Sequence, residues 1–110
     1  MKIGDFIYEV FITAQAKPIC GIPSIRRLTP TSANIRIPLT GDLFVDAFHN
    51  EFSGRTAFTL LKNNQRIFGA DNTGDWHLRP FADPARHDPL SAPMTFQQFV
   101  QMIESHFAQP

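Results

Sequence analysis

Four short apolar segments, residues 33–39, 43–51, 56–62 and 65–71, follow one another with almost no chain between them. Each is rich in Phe, Ile, Leu and Val, and the joints carry the dipeptides Thr40-Gly41, Ser53-Gly54 and Asn63-Asn64. Gly and Asn tolerate the positive φ that tight hairpin turns require. Parallel pairing would need a crossover of roughly a dozen residues or more, and no joint offers one. The segments must therefore pair as antiparallel neighbours in chain order, a β-meander. Pro38 has no N–H to donate, so it places the first segment at an edge or ends its pairing there.

Such a sheet needs cover for its apolar face, and the flanks supply it. Residues 96–107 predict a helix with Thr95 as N-cap and Gln98 three residues later, a capping-box pattern. Phe96, Phe99, Val100, Ile103 and Phe107 form its apolar stripe. Residues 6–16 read as a second helix, with Asp5 as N-cap and Phe6, Ile7, Val10, Phe11 and Ala14 on one side. The β-branched residues there leave a strand as the alternative, and Pro18 ends the element. Gly21 and Pro23 hold the next stretch open, and Trp76 to Arg79 offers a brief fifth strand. The class is α+β: an antiparallel four- to five-stranded meander with an N-terminal and a C-terminal helix packed on it.

At 110 residues the chain has the size of one domain, 1–110, and its 11 Phe place it far from the disordered class. The single cysteine, Cys20, lies in an apolar Pro-Ile-Cys-Gly-Ile stretch and reads as a buried, inert thiol. No secretory leader pattern opens the sequence and no apolar run approaches a ~20-residue membrane span, so a cytoplasmic location is the expectation. Net charge is zero but unevenly spread. Residues 17–66 hold seven basic residues against three acidic ones, and the remainder holds the reverse. A basic sheet face could meet a polyanion, or the same charges could simply protect strand edges.

Residues 72–94 change character, with four prolines and scattered polar groups, and loops of this length in small domains are usually functional or disordered. Together with the strand before it, the stretch from Lys62 to His87 gathers most of the titratable side chains of mixed type. Three readings compete. His77, Asp83 and His87 have the chemistry of transition-metal ligands, although their spacing matches no compact metal motif. Metal-independent RNA cleavage through the 2′-hydroxyl needs an acid, a base and cations to stabilise the phosphorane-like charge. His77, His87, Arg66 and Asp71 would carry those roles, and Lys62, Asn72, Trp76, Arg79 and Phe81 would contact the substrate by charge, hydrogen bonding and stacking. The third reading is architectural: Asp71-Asn72 and Asp83-Pro84 close turns while Trp76 and Phe81 anchor the loop. His49 and His106 are outlying, the first packed at a sheet end and the second near a helix C-terminus.

The run Gly41-Asp42-Leu43-Phe44-Val45-Asp46-Ala47-Phe48, then Phe58 to Lys62, Arg66-Ile67-Phe68-Gly69-Ala70-Asp71-Asn72, Trp76-His77 and Pro80-Phe81, resembles the TumE-like proteins. These are small toxins of toxin–antitoxin pairs. The resemblance spans about residues 20–107 and is most specific from Arg66 to Asn72 with the aromatic-His pair that follows. In this chain Thr73-Gly74-Asp75 separates that pair from Asn72, where the family tends to carry a His-rich run. The resemblance implies a RelE-like architecture, a ribonuclease acting on RNA without a cofactor, and a helix-turn-helix antitoxin as partner. A non-catalytic protein- or RNA-binding module of the same fold is the alternative.

Overall fold

The computed structural model describes residues 1–108. The chain runs α1 (Ile3–Ala16), β1 (Ser24–Leu28), β2 (Ser32–Pro38), β3 (Leu43–Asn50), β4 (Thr56–Lys62), β5 (Gln65–Asp71), β6 (His77–Arg79), β7 (Asp88–Pro89) and α2 (Phe96–Ala108). All seven strands form one sheet in which spatial order equals chain order, and every pairing is antiparallel. The meander follows from its turns. Asn63 and Asn64 adopt φ of 52° and 60°, which closes β4 onto β5 through two left-handed residues, a conformation whose twist suits a two-residue hairpin.

Alternation decides which side faces the core. Ala33, Ile35 and Ile37 of β2, Val45 and Ala47 of β3, Phe58 and Leu60 of β4, and Phe68 and Ala70 of β5 are buried on one face. They join one cluster with Ile3, Phe6, Val10 and Ala14 of α1 and Phe96, Phe99, Val100 and Ile103 of α2. Both helices therefore cover the same face, α1 over β2 and β3 with α2 beside it. The opposite face carries no helix. At α2 the capping box forms as the sequence implies: Thr95 Oγ1 accepts from the Gln98 amide at 3.1 Å, and Gln98 Oε1 accepts from the Thr95 amide at 2.9 Å.

The structure departs from the sequence reading in the strand count, in the start and N-cap of α1, and at the end of the α2 stripe. The sheet has seven strands, not four or five. β1 is fully exposed along its length and is bulged between Ile25 and Arg27, so it shows no apolar alternation, and β7 is only two residues long. Of the two outcomes expected for Pro38 the second holds: it is the last residue of β2 and ends the pairing there, while β1 lies outside β2. Helix α1 starts at Ile3, three residues earlier than Phe6, because Ile3 extends the buried stripe. Asp5 is consequently in the first turn, where its charge favours the helix dipole, and Lys2 stands at the N-cap without a side-chain bond. Phe107 is half exposed, since by the last turn the stripe has passed the edge of the sheet's cover. No helix among the described residues is long and apolar enough to cross a membrane.

Cys20 forms a bridge with Leu39, and neighbouring Gly21 donates to the Pro38 carbonyl at 2.7 Å. The approach is so close that a Cβ on Gly21 would stand 2.9 Å from Pro38 Cγ, which explains the glycine. Burial pushes the Cys20 thiol up to about 11, with Glu104 adding to the rise and Lys17 opposing it. In the unfolded chain the thiol titrates near 9.0. Below that pH both states hold the proton; above it the unfolded state ionises first, so stability is lost as pH rises from about 9 toward 11. Cys20→Ala is expected to flatten this alkaline limb in urea titrations, and iodoacetamide at pH near 8 should label native protein far more slowly than unfolded protein. Thr95→Ala should lower stability by about 1 kcal/mol at unchanged denaturant slope, because one helix amide loses its acceptor.

Candidate functional site

The pairing registers arrange the helix-free face into rows that cross the strands. One row runs Arg27, Asn34, Phe48, Ala57, Asp71, His77 and Pro89. The next runs Ser24, Arg36, Asp46, Thr59, Gly69 and Arg79. A third holds Pro38, Phe44, Leu61 and Arg66. Arg66 reaches this face through an irregularity in the β4–β5 ladder. Leu60 pairs Phe68 but Leu61 pairs Arg66, so Ile67 is an extra residue that reverses the alternation. Gly69 then leaves a shallow floor between two cationic stems, because a Cβ there would lie 3.6 Å from Arg66 Cδ and 3.8 Å from Arg79 Cδ.

Asp71 is the hub of this end of the face. Its Oδ1 accepts from the Thr73 amide at 3.0 Å and lies 3.1 Å from His77 Nε2, while its Oδ2 lies 3.6 Å from Arg79 Nε. The three side chains are only 12–20% exposed. His77 Nε2 and Arg79 Nε are nonetheless buried without an aligned hydrogen bond, so the cluster is held by charge proximity more than by directed bonds. On the other side of the ring, Nδ1 sits 3.0 Å from the Asp75 carbonyl. A carbonyl can only accept, so Nδ1 carries a proton and donates it to the Asp75 carbonyl, while Nε2 faces Asp71. Exposed His87 stacks on His77, with centroids 4.6 Å apart and planes 19° from parallel. Arg86 and Asp88, joined by two hydrogen bonds of 2.8 and 3.0 Å, bracket His87 in sequence.

The sequence candidates thus divide. Arg66, Asp71, His77, Arg79 and His87 come together on the helix-free face. Lys62 does not: it pairs with Gln65 beside the Asn63-Asn64 turn, five residues along β4 from the Asp71 row, roughly 17 Å at the rise of a strand. Asn72 is occupied by the fold, since its Oδ1 accepts from the Thr56 amide at 2.7 Å and its Nδ2 donates to the Gly54 carbonyl at 2.9 Å. Phe81 is sandwiched between Phe68 at 4.2 Å and His106 at 3.6 Å, on the helix side. Trp76 packs near Phe58 at 6.4 Å. Both aromatics anchor the loop. Asp83 accepts from the Ala85 amide, and no group of three or more potential metal-ligating side chains converges among the described residues. His49 is buried, with Met1 O and Thr56 Oγ1 each at 2.7 Å.

Sequence reasoning passed over the rest of the face. Arg36 grips Asp46 in a bidentate pair at 2.8 and 3.0 Å and lies over Phe44 at 5.3 Å, while Arg55 lies over Phe48 at 5.8 Å. The alternation in β3 that buries Val45, Ala47 and His49 is the signal that turns Phe44, Asp46 and Phe48 outward. A concavity of about 670 Å³ lies elsewhere. It lies between α2 and the 80–94 loop, lined mainly by apolar side chains such as Leu78, Phe81, Met94 and Met102, and it includes none of the Asp71 cluster. No family model, no curated protein and no solved structure matches the chain.

If the Asp71 carboxylate secures β6 to β5, Asp71→Asn should lower stability by about 1–3 kcal/mol, because the partly buried Arg79 guanidinium loses its counter-charge and His77 loses the carboxylate beside Nε2. Amide exchange in Leu78 and Arg79 should accelerate more than in β3. A change under about 0.5 kcal/mol with unaltered exchange would show that the cluster has no fastening role.

Proposed function

We propose that this chain is a toxin-like protein that cleaves RNA without a metal, at the end of the helix-free face where His87, His77, Asp71, Arg66 and Arg79 meet. The observation that carries the reading is the exposed His87 imidazole stacked on His77, which lies against Asp71, with the Arg66 and Arg79 stems flanking Gly69 on the same face. His87, the accessible ring, accepts the proton of the ribose 2′-hydroxyl as O2′ attacks phosphorus. The departing 5′-oxygen is protonated by an acid on the opposite side, or by water. The products are a 2′,3′-cyclic phosphate and a 5′-hydroxyl. Arg66, which is exposed and has no carboxylate partner among the described residues, offsets the charge building on the phosphoryl oxygens. Asp71, His77 and Arg79 act beneath it as a fixed electrostatic base that holds the stacked ring.

The similarity to TumE-like sequences supports this assignment and extends it to a RelE-like relationship, a cytoplasmic site of action and a helix-turn-helix antitoxin as partner. A second reading rests on the burial of His77 Nε2, an atom no substrate can touch in this arrangement. In that reading the cluster is a clasp, and the module binds RNA or protein without cutting.

Induction of the wild-type chain should arrest growth and degrade RNA, and purified protein should yield cyclic-phosphate ends in the presence of EDTA. His87→Ala should lower the rate by about 10²–10⁴-fold. His77→Ala should do likewise, and His77→Gln should recover stability but not rate. Intact RNA and normal growth under strong induction would leave the binding reading in its place.

A further inference from the structure

Resting on the RNA reading but on different residues, we propose that the β1–β4 half of the helix-free face is a platform for single-stranded RNA, with bases stacking on Phe44 and Phe48. Both helices lie on the opposite side, so neither helix covers these rings. Phe44, the second residue of β3, is 40% exposed, where alternation gives it no reason to be aromatic for the core. Each ring has a guanidinium over it, Arg36 on Phe44 and Arg55 on Phe48, so each aromatic face is paired with a cation.

Charge supplies the second argument. Arg27, Arg36, Arg55, Arg66 and Arg79 belong to this face, against the carboxylates of Asp46 and Asp71. The chain is neutral overall, so the remaining surface carries the compensating negative excess. Among the described residues Arg27, Arg55 and Arg66 have no carboxylate partner, which leaves them available to phosphates. Between the rings and the His77 cluster the floor is made of small or modest side chains, Ala57, Thr59, Leu61 and Gly69, with the Arg66 and Arg79 stems lying beside Gly69. Phe48 and His77 share one row three strands apart, roughly 14 Å at the spacing of paired strands. A strand a few nucleotides long can span that distance, its bases on the phenylalanines and a phosphate beside His87. Duplex RNA cannot use the rings, because its bases are already stacked.

The test is fluorescence anisotropy with a labelled, fully 2′-O-methylated RNA of about a dozen mixed-sequence nucleotides, which the proposed 2′-hydroxyl chemistry cannot cut. Phe44→Ala and Phe48→Ala should each weaken binding roughly 5- to 100-fold, and Phe44→Trp should restore it. Phe44→Leu, which keeps apolar bulk without a π-face, should behave as the alanine variant, and circular dichroism checks that each variant folds. The same strand annealed to its complement should bind more weakly. Binding that is indifferent to both rings, or equally tight for the duplex, would overturn the platform. RNA with 2′-hydroxyls left uncut while ring-dependent binding persists would overturn cleavage and leave the platform standing. Cleavage with ring-independent binding would do the reverse.

Discussion

The contact on which most of the architecture depends is aromatic packing around Phe58 and Phe68, which sit on neighbouring strands and face the helices. Phe58 lies 5.7 Å from Phe96 and 5.4 Å from Phe99, and Phe68 lies between Phe99 at 5.1 Å and Phe81 at 4.2 Å. Two consequences follow from these few rings. They fix α2 to the side already occupied by α1, which leaves the other side of the sheet bare. They also hold the long loop after β5 down at Phe81 and Trp76, so that the loop returns to add β7 beside β6. Without that anchorage His87 would have no reason to stand over His77.

The division of labour between faces is therefore a packing outcome before it is a chemical one. On the helix side, polar groups are few and satisfied, as with His49 between Met1 and Thr56. On the bare side, arginines alternate with aromatics and small residues, and the least directed electrostatics in the molecule lie around Asp71. Buried donors without aligned partners are uncommon in folded proteins, and each asks for a cause. Here the cause is convergence: two ionisable side chains, His77 and Arg79, share one carboxylate that also closes a turn with Thr73.

Much of this was legible from the chain alone. Hairpin dipeptides dictated antiparallel order, and Thr95 with Gln98 announced α2, because both signals are local. β1 was invisible for the opposite reason: Ser24 to Leu28 is an exposed edge whose only cue is its partner. β7 exists because a distant loop folds back, which no periodicity encodes. The candidate site was legible as an inventory of residue types but not as a geometry. The irregularity at Ile67 brings Arg66 beside Gly69, and the same register leaves Lys62 at the far end. Asn72 and Phe81 looked like contacts for a substrate and serve the fold, since side chains with free chemistry and side chains with structural duty are the same residues on paper.

Strict chain order in the sheet also bears on how the molecule comes into being. Each strand finds its partner in its immediate predecessor, so few distant chain segments must meet, and low sequence separation between contacts favours rapid folding. During synthesis, hairpins can zip one after another as they leave the ribosome. The part of their apolar side that α2 covers, with Phe58 and Phe68, stays open to solvent until that helix arrives. Because Phe96, Phe99, Val100 and Ile103 follow every strand in the chain, the nascent sheet is at its most adhesive until α2 has been made.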